Sequence, residues 1–159
     1  MNRIIKITTA SLKHLLIILC FTSLTLPEIF AQGDNCANAL VLNDLSSFCS
    51  ANGSYTTVGA TTSANPTPGC WGSASNDVWF QFTAMATDLS LTINGNTVNA
   101  NGTLTNPNLA LYSGTCATLT QLSCAVVGLT ANAVTLYNSA LIVANTYYIR
   151  VNGSNAGTF

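Results

Sequence analysis

Apolar and polar positions alternate along this chain with a period of two, in short runs separated by turn residues. The densest run is residues 77–84. There Val78, Phe80, Phe82 and Ala84 fall on one side of an extended chain, and Trp79, Gln81 and Thr83 on the other. That pattern predicts a strand with one face in a core and a tryptophan on its second face. Residues 88–94 follow, with Leu89, Leu91 and Ile93 alternating against Ser90, Thr92 and Asn94, the mark of a half-exposed strand. Residues 109–112, 119–127, 133–137 and 146–152 continue the series, and 37–42 and 55–58 are shorter candidates. Gly157-Thr158-Phe159 reads as the start of a further strand. Turn signals stand between these runs: Asn52-Gly53, Gly95-Asn96, Asn101-Gly102, Ser113-Gly114, and a long loop over residues 61–75 with Pro66, Pro68, Gly69 and Gly72. Helical periodicity is lacking after residue 31. Short strands spaced about 8–12 residues apart predict an all-β fold, an antiparallel jelly-roll-like sandwich whose last strand continues past Phe159.

The first 31 residues stand apart. Arg3, Lys6 and Lys13 precede an apolar run over residues 15–26, and Pro27 and the small Ala31 suggest cleavage before Gln32. This is the plan of a secretory signal peptide, too short for a membrane span. Leu19 is too large to make Cys20 a good lipid-attachment site. Residues 1–31 are thus expected to be a leader and residues 32–159 one exported β-sandwich domain, secreted or held at the cell surface.

Removing the leader changes the charge picture. Asp34, Asp44, Asp77, Asp88 and Arg150 remain, a formal charge of −3. One cation cannot neutralise a phosphate backbone, so nucleic acid is excluded as a partner, and anionic lipid with it. With no histidine or lysine after residue 31, a serine nucleophile has no base. Asp77 and Asp88 could approach each other across adjacent strands as a glycosidase pair, but they read better as residues that start strands. The chain is therefore expected not to be an enzyme. Arg150 is expected to meet an aspartate at a sheet edge or to discourage edge pairing, so Arg150→Ala should cost modest stability.

Five cysteines follow the leader: Cys36, Cys49, Cys70, Cys116 and Cys124. In an exported chain they read as disulfides, and a metal cluster lacks the usual spacing and any histidine. Short spacing suggests Cys36–Cys49 and Cys116–Cys124, although sequence does not fix connectivity. Cys70 is left as a free thiol or as the partner of a cysteine past Phe159. Asp34, Asp44 and Asn76-Asp77 carry oxygens suited to calcium, without a contiguous ligand loop; no other cofactor is implied. Trp71, beside Cys70 and Pro68, is either packed against a disulfide or a platform for a sugar ring, and Tyr55, Tyr112 and Tyr148 could line a surface, although strands favour tyrosine in any case. Trp79 reads as packing. Asn52-Gly53-Ser54, Asn101-Gly102-Thr103 and Asn152-Gly153-Ser154 match the glycosylation sequon but read as turns.

Three of these stretches together resemble a known family. Asp77-Val78-Trp79-Phe80-Gln81-Phe82-Thr83-Ala84 is similar to the "DVWF-x-F-x-A" strand of bacterial pre-peptidase C-terminal-like (PPC-like) domains. Asn108-Leu109-Ala110-Leu111-Tyr112-Ser113-Gly114-Thr115-Cys116, with Leu122-Ser123-Cys124, resembles their "LALY-x-G-x-C … L-x-C" unit. Tyr147-Tyr148-Ile149-Arg150-Val151 resembles their "YYIRV" strand, after which the family turns into a "GTF-x-L" strand. Asp34-Asn35-Cys36-Ala37-Asn38-Ala39 is similar to the opening seen in exported proteins of type IX-secreting bacteria. The resemblance spans residues 34–159. It departs at Ala125-Val126-Val127-Gly128, where many members carry Asn or Asp. It implies a small non-catalytic sandwich within a larger exported or surface protein, acting in binding, adhesion or spacing toward a surface glycan, a protein or the domains that follow. The alternatives are an accessory domain of a secreted hydrolase and a carbohydrate-binding module using Trp71.

Overall fold

The computed structural model describes residues 32–97, 102–127 and 131–159. The leader expected at residues 1–31, Cys20 included, lies outside the described residues, as do Asn101 of the predicted hairpin and Gly128.

Among the described residues seven strands form: β1 (Leu40–Val41), β2 (Val78–Thr83), β3 (Leu89–Asn94), β4 (Asn108–Ser113), β5 (Thr120–Val126), β6 (Ala133–Asn138) and β7 (Thr146–Asn152). They make two sheets, one of five strands in the order β1-β2-β7-β4-β5 and one of two, β3-β6. All ladders are antiparallel except β1 on β2. The expected all-β sandwich is present, with unequal layers.

Two short elements differ from expectation. Of residues 37–42, only Leu40–Val41 pairs as a strand. Cys36–Asn38 instead makes one 3₁₀ turn, because the Asn35 side chain accepts from the Asn38 N–H at 3.1 Å and so offers the backbone a bond that a strand would forgo. Residues 55–58 contribute a single antiparallel bridge, Thr56 to Thr158. Around it Phe159 N–H donates to Tyr55 O at 2.9 Å and Tyr55 N–H to Phe159 O at 3.2 Å, so Gly157-Thr158-Phe159 is extended and paired.

The register explains the packing. Phe80 pairs with Ile149 and Leu111 with the same Ile149, while Trp79 and Ala110 flank Arg150. Val78, Phe80, Phe82, Leu109, Leu111, Ile149 and Val151 therefore share one face, which meets Val134 and Leu136 of β6 and the half-buried Leu89, Leu91 and Ile93 of β3. Trp79, Ala110 and Tyr112 share the other. Both faces of its three central strands β2, β7 and β4 are buried, and the second face is covered by chain with no strand in it.

Between the ends of the sheets Leu104 is fully enclosed. A Cβ on Gly153 would lie 2.6 Å from its Cδ1, and one on Gly157 only 2.4 Å from its backbone N. The Asn152-Gly153-Ser154 and Gly157-Thr158 stretches are glycine-bearing because the chain passes Leu104 at backbone contact distance.

Candidate functional site

The residues singled out from sequence fall on two sides of the five-stranded sheet. On one side, the proline- and glycine-rich segment between β1 and β2 lies over Trp79, Ala110 and Tyr112. Trp71 is its plug: 6% exposed, with Nε1 donating to Leu109 O at 3.3 Å. The same segment is tied down through Gly69 N–H to Gln121 Oε1 at 2.9 Å.

Beneath it lies a buried ion pair. Arg150 Nε donates to Asp77 Oδ2 at 2.8 Å, and neither side chain is exposed at all. Nη1 donates to Pro66 O at 2.9 Å and Asn65 O at 3.3 Å, which locks the prolines of the loop to the strand. The guanidinium carbon lies 5.1 Å from the centroid of the Trp79 ring and 5.4 Å from that of Trp71, within reach of a cation–π attraction from both. Asp77 also accepts from Trp79 Nε1 at 3.1 Å, from Ser63 N–H at 3.0 Å and from the Ser63 hydroxyl. The expectation of a sheet-edge arginine is overturned. β7 lies between β2 and β4 in the sheet, so Arg150 projects into a face that the loop closes.

Burial pushes the phenol of Tyr112 up, and the Arg150 guanidinium beside it opposes that shift without cancelling it. A tyrosine whose folded pKa is raised favours the folded state while neutral. Its contribution is intact below its unfolded value and is lost as pH rises through the folded one. Tyr112→Phe should therefore narrow the drop in urea midpoint between about pH 8 and about pH 10.5. Tyr137, pushed up by its bond to the Asp88 carboxylate, is exposed and should move that drop little when changed to Phe. An unchanged drop in Tyr112→Phe would mean that water reaches the ring.

Two disulfides staple this face: Cys36–Cys116 and Cys70–Cys124, with Cα separations of 5.5 and 6.2 Å. The pairings suggested by spacing do not form. Cys116 sits in the turn of the β4–β5 hairpin, whereas Cys124 lies four residues along β5 from Thr120, about 13 Å of strand away and past what a disulfide spans. Cys36 packs with Trp79, while Cys49 lies exposed on the other side of the sheet. Cys70 is bonded, and Cys49 is the free thiol among the described residues. Two disulfides are compatible with an extracellular protein, and no helix among the described residues is long and apolar enough to cross a membrane.

Of the three ligand-binding candidates, Trp71 and Tyr112 belong to this buried layer. A sugar needs an open ring face; the Trp71 ring lies against Arg150, and Tyr112 packs on Trp79 with centroids 5.4 Å apart. Tyr55 stands on the opposite side, edge-on to Phe80 at 5.0 Å. It helps line a cavity of about 340 Å³ between the sheets, together with Phe80, Ile149, Val151 and Phe159. The lining continues along Ser90–Asn94 of β3 and across to the segment from Phe48 to Asn52. Charged side chains are absent from it. Sequence reasoning missed this cavity: the loop from Asn43 to Ser54 shows no periodicity, and that two sheets of unequal width leave a gap is not written in any one strand.

The oxygens considered for calcium are separately engaged. Asp34 accepts from the N–H and hydroxyl of Thr61, Asp44 from the Ser46 hydroxyl at 2.6 Å, and Asp77 from Arg150, Ser63 and Trp79, while the Asn76 side chain is oriented by its Nδ2 donating to Ala60 O at 3.0 Å. Among the described residues, no three acidic, cysteine or histidine side chains gather as a metal site. Asp88 accepts from the Tyr137 hydroxyl at 2.9 Å on the small sheet, and Asp77 lies under the loop on the large one, so the structure does not join them as a carboxylate pair. No family model, no curated protein and no solved structure matches this chain.

Proposed function

We propose that residues 32–159 are an exported, non-catalytic β-sandwich module of PPC-like type, serving a larger exported or cell-surface protein in binding, adhesion or spacing. The observation that carries this reading is the fate of the charged side chains. Asp34, Asp44, Asp77, Asp88 and Arg150 are each spent on holding a loop, a turn or a strand in place. A general acid or base needs a titratable group presented to a substrate, whereas the cavity beside Tyr55 is lined by no Asp, Glu, His, Lys or Arg. The leader-like residues 1–31 and the cysteine usage support export.

The purified, disulfide-bonded domain is expected to hydrolyse neither casein nor nitrophenyl glycosides above a boiled control. Turnover that vanishes in Asp88→Asn or Asp44→Asn, two exposed sites whose substitution leaves the core intact, would overturn the reading.

A further inference from the structure

The two-stranded sheet has an outer face as well as an inner one, and alternation decides which residues occupy it. Leu89, Leu91 and Ile93 of β3 and Val134 and Leu136 of β6 turn toward the core. Ser90, Thr92, Asn94, Ala133, Thr135 and Tyr137 therefore point away from it, and all of them are exposed. A further strand beside β3 would widen this face without covering it. Register sets Tyr137 opposite Ser90 and Thr135 opposite Thr92, and the two threonine hydroxyls bond each other at 2.8 Å. Tyr137 is 63% exposed, the most open aromatic side chain among the described residues. Its ring is also held in place. The hydroxyl donates to Asp88 Oδ1 at 2.9 Å, and Thr87 Oγ1 donates to Asp88 Oδ2 at 3.0 Å. A carboxylate offers about four lone-pair positions, so Asp88 keeps acceptor capacity beside the ring.

We propose that this face is a glycan-binding site, on which the Tyr137 ring stacks against a neutral sugar and Asp88 accepts from that sugar's hydroxyls. The inference rests on the binding-module reading and names the ligand's chemistry. A sugar ring has a face of C–H groups, which suits an aromatic ring, and a rim of hydroxyls, which need acceptors. Trp71 and Tyr112 offer no open ring face, whereas Tyr137 does. Its bond to Asp88 fixes the ring beforehand, so little ordering remains to be done on binding. Two residues of strand cover about 6.8 Å, so a second sugar joined to the first would lie over the Thr92 and Thr135 hydroxyls. Charge narrows the class. Arg150, the one cation among the described residues, is wholly buried, and Asp88 is exposed. Uronates and sulfated or phosphorylated sugars would thus meet a carboxylate and no counter-charge. An apolar partner would strip water from Asp88 and the threonine hydroxyls without replacing it. A peptide that adds as a strand needs an edge, and this is a face.

The test titrates the disulfide-bonded domain with neutral hexasaccharides of glucose, mannose and xylose, and with an oligogalacturonate as the acidic probe. Calorimetry reads affinity, and amide shifts in NMR read the place of binding. At least one neutral hexasaccharide is expected to bind and to shift Thr92, Thr135 and Tyr137, with the oligogalacturonate weaker by about tenfold or more. Tyr137→Ala should weaken binding by about tenfold. Tyr137→Phe keeps the ring but loses its hold on Asp88, and should weaken binding by about threefold, as should Asp88→Asn. Phe48→Ala should change nothing. Melting temperatures check that each variant is folded, and the shifts locate the site without any substitution. Three results would each overturn the proposal: no neutral hexasaccharide binds, Tyr137→Ala binds as the unsubstituted domain does, or the acidic probe binds more tightly than the neutral ones. A glycan that binds with its shifts on another surface would remove this site and leave the binding-module reading standing. None of these results bears on turnover, so failure here is distinct from failure of the non-catalytic reading.

Discussion

Arg150→Ala is expected to destabilise the domain by about 3–5 kcal/mol, enough to unfold a marginal sandwich. The magnitude follows from what the truncation leaves behind. Asp77 is completely buried beneath the loop, and its Oδ2 loses its one cationic donor while Trp79 Nε1 and Ser63 remain. A carboxylate without its counter-charge in such a place is far costlier than the pair was favourable. At the same time Pro66 O loses the Nη1 donor, and both tryptophan rings lose the cation between them. Arg150→Lys should recover little, because an ammonium cannot reach Asp77 and the Asn65 and Pro66 carbonyls from one planar group. The double change Arg150→Met with Asp77→Leu should recover more than either single change permits, since removing both charges removes the desolvation cost with them. Urea midpoints for the four proteins decide it. A loss of under about 1 kcal/mol for Arg150→Ala would show that water enters and solvates Asp77.

This prediction reverses the modest effect expected from sequence, and the reason is local. Alternation correctly placed β2, β3 and β7, because a strand's two faces are set by neighbouring residues and the apolar set Val78, Phe80, Phe82, Ile149 and Val151 is unambiguous. Arg150 falls on the opposite face, where sequence could see only a charge among tyrosines. Its burial is imposed by residues far away in the chain: the Asn65 and Pro66 carbonyls and the Trp71 ring. That covering segment has no periodicity, so its path over the sheet is a tertiary fact. One clue was present. In a chain so poor in charge, an aspartate immediately before β2, two residues from Trp79, and an arginine on β7, in register with that tryptophan, are candidates for each other. The candidate site shows the same division. Tyr55 was expected to line a ligand surface with Trp71 and Tyr112 and instead stands on the opposite face of the sheet from them, beside a cavity that arises from the mismatch between a five-stranded and a two-stranded sheet.

The cysteines carry the second large effect. Non-reducing peptide mapping is expected to recover Cys36 with Cys116 and Cys70 with Cys124, and to find Cys49 alkylated without prior reduction. The two bridges close loops with sequence separations of 80 and 54 residues. In the chain-entropy view each such loop removes about 4 kcal/mol of freedom from the unfolded chain. Their placement adds a second consequence. Cys70 neighbours the buried Trp71, and Cys36 belongs to the turn that packs on Trp79, so both bridges fasten strandless chain to the second face of the large sheet. Cutting Cys70–Cys124 in the paired variant Cys70→Ala/Cys124→Ala should therefore do more than lower the melting temperature. Trp71 should become accessible, seen as a red shift of its emission and as quenching by acrylamide, while β3, β6 and the cavity on the far side stay protected in hydrogen exchange. Cys36→Ala/Cys116→Ala should free the turn over Trp79 and leave the Trp71 plug in place. Cys49→Ala should change neither. If the Cys70/Cys124 variant lost protection uniformly, on β3 as much as over Trp71, the staple would be holding the whole sandwich together and not one layer of it.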